Sequence, residues 1–81
     1  MLNRVSFILY FKSNATNKEI DRAVERLGNK RGVAGKWPLA NQHGGTTFEF
    51  QVSDDWAESF QDAVRAEKVV REFGRSDRQE D

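Results

Sequence analysis

One pattern runs through this chain twice: an alternating apolar stretch, a capped amphipathic segment, and a second apolar stretch. The first pass covers residues 5–11, 16–27 and 33–39; the second covers 46–52, 54–64 and 69–73. Alternation with period 2 marks a half-buried strand, whereas apolar residues at i, i+3, i+4 and i+7 mark one face of a helix. Two strand–helix–strand passes nearly fill a chain of 81 residues. The economical way to bury both helix stripes is a single four-stranded sheet with the helices on one of its faces.

In the first stretch Val5, Phe7, Leu9 and Phe11 alternate with Ser6, Ile8 and Tyr10. The first set is the better core face, and the second is still partly apolar, as in a central strand. Thr16-Asn17-Lys18-Glu19 matches a capping box, in which a hydroxyl and a carboxylate three residues apart satisfy each other's backbone N–H groups. Ile20, Ala23, Val24 and Leu27 follow as one helical stripe, and Gly28 is expected to stop the helix. In the third strand Phe48, Phe50 and Val52 alternate with Thr47, Glu49 and Gln51. Ser53 or Asp54 is expected to cap a second helix whose buried stripe is Trp56, Phe60, Ala63 and Val64. Residues 69–73 read better as a final strand than as a helix extension, because Glu67 falls on the Phe60/Val64 stripe and Val69-Val70 suits a strand.

Pro38 cannot donate to a ladder, so the strand at 33–39 belongs at an edge. A βαββαβ chain with right-handed crossovers gives the antiparallel order 4-1-3-2, which places Pro38 at an edge and residues 5–11 in the centre. The predicted class is therefore α+β, a ferredoxin-like sandwich over residues 1–73. Residues 74–81, without an apolar side chain, are expected to form a mobile charged tail.

Composition excludes several classes. At 37% hydrophobic and 32% charged residues the chain suits a soluble domain. No apolar run approaches the roughly 20 residues that span a bilayer. Met1-Leu2-Asn3-Arg4 lacks the regions of a secretory leader, so a cytoplasmic setting is expected. There is no cysteine. Net charge is zero but uneven: residues 1–36 hold eight Lys/Arg and three Asp/Glu, giving +5, and residues 37–81 hold five and ten, giving −5. Interleaving of the two halves in space is expected to cancel much of this asymmetry.

Few residues in the sequence point to reaction chemistry. His43, the sole histidine, stands in a polar loop with no cysteine or acid nearby, too few partners for a metal site. Gly35-Lys36 resembles the end of a phosphate loop, but Trp37 stands where Ser or Thr is needed. Asp54 and Asp55 are explained by helix capping. No catalytic, metal or cofactor residue is assigned. RNA-recognition domains share this topology, yet here the open sheet face would carry Glu49 and Gln51 beside Tyr10, and an acid there repels phosphate. Nucleic-acid binding is disfavoured, and a protein partner is expected. Its contact surface is expected to be the open face with Ser6, Ile8, Tyr10, Glu49 and Gln51. Trp37 would sit at its edge or, alternatively, face the helices.

The chain resembles the subtilisin-propeptide family in its short stand-alone form, such as the fungal proteinase B inhibitors. The resemblance rests on Val5-Ser6-Phe7-Ile8-Leu9-Tyr10-Phe11-Lys12, the turn into Lys18-Glu19-Ile20, Phe48-Glu49-Phe50-Gln51-Val52, and Val69-Val70-Arg71-Glu72-Phe73. It implies a domain that docks its sheet on a serine protease and lays its C-terminal tail, here with Arg78 and Asp81, in the cleft. Such clefts favour apolar side chains near the tail's end, and Arg78-Gln79-Glu80-Asp81 departs from that pattern. The expected function is a small protein inhibitor. A phage-type inhibitor of a host defence complex, as anti-CRISPR proteins are, is the alternative within that class.

Overall fold

A computed structural model describes residues 3–39 and 46–78. The elements are β1 (Arg4–Phe11), α1 (Asn17–Gly28), β2 (Val33–Leu39), β3 (Thr47–Ser53), a 3-10 turn (Asp54–Trp56), α2 (Ala57–Ala66) and β4 (Val70–Arg78). The strands form one antiparallel sheet in the order β2-β3-β1-β4, the ferredoxin-like arrangement. Pro38 lies on edge strand β2, and β1 runs between β3 and β4.

The alternation in β1 sorts as its sequence requires. Val5, Phe7, Leu9 and Phe11 are buried, together with Phe50 and Val52 of β3. Helix α1 adds Ile20, Ala23, Val24 and Leu27, and α2 adds Ala57, Phe60 and Val64. Phe60 packs on both central strands, 5.0 Å from Phe7 and 5.3 Å from Phe50 between ring centroids. The capping box is present: the Glu19 N–H donates to Thr16 Oγ1 (3.1 Å), and the Thr16 N–H donates to Glu19 Oε1 (2.9 Å).

Four expectations are corrected. Gly28 does not follow the helix but is its last residue, and Asn29 is the C-cap, its N–H donating to the Glu25 carbonyl. Positive φ is needed later, at Gly32 (φ +90°), where a Cβ would run into Trp56. The second helix does not start from a Ser53 or Asp54 cap: Ser53 precedes a 3-10 turn and makes no side-chain cap hydrogen bond, while the Ser53 N–H donates to the Gly32 carbonyl and the Asp54 N–H to the Asn3 carbonyl. A 3-10 turn intervenes and α2 begins at Ala57. That turn, with three residues per revolution, shifts the register of the stripe. Ala57 points inward (1% exposed), and Trp56 stays out at 36% exposure with Arg31 over its ring at 5.3 Å.

The fourth correction concerns the C-terminus. The chain does turn from helix to strand after Ala66. Arg26 grips Glu67 with two hydrogen bonds (2.9 and 2.7 Å), and Lys12 N–H takes the Val69 carbonyl. But the strand does not stop at Phe73. Residues 74–78 pair with β1, from Ile8↔Gly74 to Arg4↔Arg78, so the expected tail is part of the sheet up to that point. The reason is Arg75. Its guanidinium lies over the Phe7 ring (5.7 Å) and donates to Glu58 (3.0 Å), Gln61 (2.8 Å) and Asp77 (2.9 Å). An arginine stem and cation cover the core edge where a sequence pattern looks for an apolar residue. His43, the Gly44-Gly45 pair and Asp81 lie outside the described residues.

Truncating the aromatic centre should be costly. Phe7→Ala, Phe50→Ala and Phe60→Ala are each expected to lose about 3–5 kcal/mol, and Leu27→Ala about 2–5, through the cavities they leave. Urea denaturation measures this, and wild-type midpoints would show that the core lies elsewhere.

Acid sensitivity follows from two carboxylates. Hydrogen bonds from the Thr16 backbone and hydroxyl hold Glu19 below the usual carboxylate range, and the Arg75 guanidinium does the same for Asp77. A lowered folded value means a contribution complete above the unfolded value and lost as pH falls through the folded one. Wild type should therefore lose stability faster than a Glu19→Gln/Asp77→Asn variant as pH drops below the carboxylate range. Parallel urea midpoints across that range would remove the two groups as the cause.

Candidate partner-binding face

Both helices cover one side of the sheet, so among the described residues no helix lies over the other side. Period-2 alternation and the strand register decide what stands on it. β1 contributes Ser6, Ile8 and Tyr10; β3, paired to it, contributes Gln51, Glu49 and Thr47. Trp37 of β2 lies opposite Glu49, and Gly35 opposite Gln51. From β4 come Glu72, Gly74 and Ser76, opposite Tyr10, Ile8 and Ser6. The candidate residues Ile8, Tyr10, Trp37, Glu49 and Gln51 thus fall on one surface, and Trp37 takes the open face, not the helix side. Arg78 is paired with Arg4 at the end of β4, away from Trp37 and Tyr10.

A polar clamp orders the middle of this face. Glu49 accepts from Trp37 Nε1 through one carboxylate oxygen (3.0 Å) and from Ser6 Oγ through the other (2.9 Å). Arg4 Nη1 donates to Gln51 at 3.4 Å. The Trp37 ring leans back over Gly35: a Cβ there would stand 3.0 Å from Trp37 Cζ3. Glycine at 35 thus permits the close approach, and Glu49 fixes the rotation of the indole. Ser6 is buried beneath the clamp, while Tyr10 and Trp37 remain 37% and 38% exposed. Alternation alone puts Ser6, Glu49 and Gln51 on this face, but it carries no sign of the Ser6–Glu49 hydrogen bond or of the room Gly35 leaves for the indole. The cross-strand register that joins Ser6 to Glu49 is set by pairing 43 residues away.

The face thus carries two exposed aromatics, one of them hydrogen-bonded, around a carboxylate whose two oxygens are both engaged. Among the described residues there is no group of three or more metal-ligating side chains, and no helix is long and apolar enough to cross a membrane.

No protein-family model matches the chain, and no curated protein matches it. Solved structures do. MtbAldR is similar over 100% of this chain and 55% of its own, with TM-score 0.76 and 16% identity. An AsnC family transcriptional regulator from Agrobacterium tumefaciens covers 99% and 52%, with TM-score 0.73 and 11% identity. A hydroxynitrile lyase from Passiflora edulis covers 95% and 91%, with TM-score 0.64 and 13% identity. The chain spans about half the length of the first two. At such identities the likeness is one of fold.

Glu49→Ala should release the indole. The Trp37 Nε1–H resonance is expected to move upfield and exchange faster, while that of Trp56, which Glu49 does not contact, stays in place. An unmoved Trp37 signal would mean the clamp is not formed in solution.

Proposed function

We propose that this chain is a non-enzymatic protein-binding module that docks its open sheet face on a partner and so inhibits it. The observation that carries this reading is the Trp37–Glu49–Ser6 clamp beside Tyr10 on the uncovered face. Buried aromatic anchors supply most of the energy of protein interfaces, and an anchor already held in one rotamer loses less entropy on binding. The fold itself does not discriminate, since a transcriptional regulator and a lyase both share it.

Sheet docking is the part of the propeptide resemblance that fits this surface. Tail insertion fits less well, because residues 74–78 are tied to β1. Inhibition by the face alone suits a protease or a host defence complex equally, so the partner's class stays with the experiment. Glu49 and Glu72 on the same face argue against stacked RNA.

The test is affinity capture from the native host, followed by calorimetry with the purified partner and assay of the partner's activity. Tyr10→Ala and Trp37→Ala should each weaken binding by about 30-fold or more, roughly 2 kcal/mol, and relieve inhibition. Lys18→Ala on the helix side should change neither. Unchanged affinity in both aromatic variants moves the interface off this face. Tight oligonucleotide binding that salt weakens, and that is lost when Arg26, Lys30 and Arg31 become Glu, replaces the reading with a nucleic-acid one.

A further inference from the structure

The two edges of the sheet are unequal. β2 is blunted, because Pro38 removes a donor and the pairing with β3 shifts register between Val33 and Gly35. β4 is the longest strand among the described residues, with nine residues and no proline. Its β1 pairing is regular from Glu72 to Arg78, and the one irregularity faces the Tyr10/Phe11 step. Beside it lies a groove of about 360 Å³ lined by Val64, Arg65, Val70, Arg71, Glu72 and Phe73, so the last turn of α2 leaves space along this edge. Gly74, the middle residue of the strand, has open space around it: a Cβ there would meet no atom within 4 Å.

An unpaired edge of this length is a template for another strand, which proteins usually block with charge. β4 carries charges, and their order decides the outcome. Consider two copies joined edge to edge by a two-fold axis normal to the sheet, with both helix layers on the same side. Each register is then centred on one residue that faces itself. Centring on Phe73 opposes Arg71 with the partner's Arg75. Centring on Arg75 opposes that arginine with itself. Centring on Gly74 opposes Arg71 with the partner's Asp77, Phe73 with the partner's Arg75 and Glu72 with the partner's Ser76, and it alone uses all nine residues. Like charges directly opposite destabilise a pair and unlike charges support it.

We propose that β4 is a self-association edge, on which a second copy of this chain pairs antiparallel about Gly74 to give one continuous eight-stranded sheet. The pairing leaves the open face uncovered and presents two copies of it side by side. It stands independently of the function proposed above, which a monomer serves equally well.

The absence of cysteine makes the test clean. Sedimentation of the wild-type chain should give a dimer mass. In Gly74→Cys the two thiols stand directly across the axis, where opposed Cβ atoms lie about 4.5–5.5 Å apart, close to what a disulfide spans. In Ser76→Cys they are offset by four residues, about 13 Å, which is too far. Mild oxidation should therefore convert most Gly74→Cys into a disulfide dimer and leave Ser76→Cys largely monomeric on a non-reducing gel. The melting temperature of each reduced variant shows that it is folded. A wild-type monomer mass overturns the proposal. So does a dimer in which Gly74→Cys fails to cross-link or Ser76→Cys cross-links as well. A dimer that Tyr10→Ala dissociates would place the contact on the open face instead.

Discussion

The rest of the molecule depends on Phe60. A single side chain from α2 rests on Phe7 and Phe50, the buried centres of the two inner strands, at 5.0 and 5.3 Å. A domain of this size buries only about 60% of its unfolded surface, so few contacts tie its layers together. Aromatic pairs add about 0.5–1.5 kcal/mol each beyond the area they bury. Placing Phe60 there fixes α2 over β1 and β3. That position brings Glu58 and Gln61 within reach of Arg75 and so draws β4 into the sheet beyond its last apolar residue.

The same packing creates the candidate site by exclusion. With both helices on one side, the second set of every alternating strand must face outward. What stands there is ordered all the same. Glu49, carried on a central strand, uses one oxygen for Ser6 and the other for Trp37, and Gly35 gives the indole room. The carboxylate and the indole therefore hold each other in place on the open side of the sheet.

Charge follows the same logic. The sequence is +5 in residues 1–36 and −5 in residues 37–81, a separation that folding partly dissolves. Arg26 of α1 is held by Glu67 from the later half, at 2.7 Å. Within one half, Lys36 approaches Glu25 and Arg75 approaches Glu58. Exposed pairs of this kind contribute little stability individually. Their importance is positional: they set the α2–β4 turn and hold the terminal strand.

Most of the fold was legible in the periodicities, and the pairing of β4 with β1 decided the last element, which the sequence left between strand and helix extension. Val5, Phe7, Leu9 and Phe11 could only be one face of a strand, Ile20, Ala23, Val24 and Leu27 one face of a helix, and Pro38 had to lie on an edge. The outward residues Ile8, Tyr10, Glu49 and Gln51 followed from the same alternation. Tertiary structure decided whatever depends on partners distant in sequence. Ser53 makes no side-chain cap hydrogen bond; its N–H joins the Gly32 carbonyl, and α2 starts only after the 3-10 turn, at Ala57. Trp56 is turned out by a 3-10 turn, and Trp37 faces the open side because Glu49 and Gly35 receive it there. Residues 74–78 form a strand because Arg75 finds Phe7, Glu58 and Gln61. A local pattern records which side chains avoid water. It does not record which polar groups find each other across the sheet, and in so small a domain those groups place the site and extend the edge.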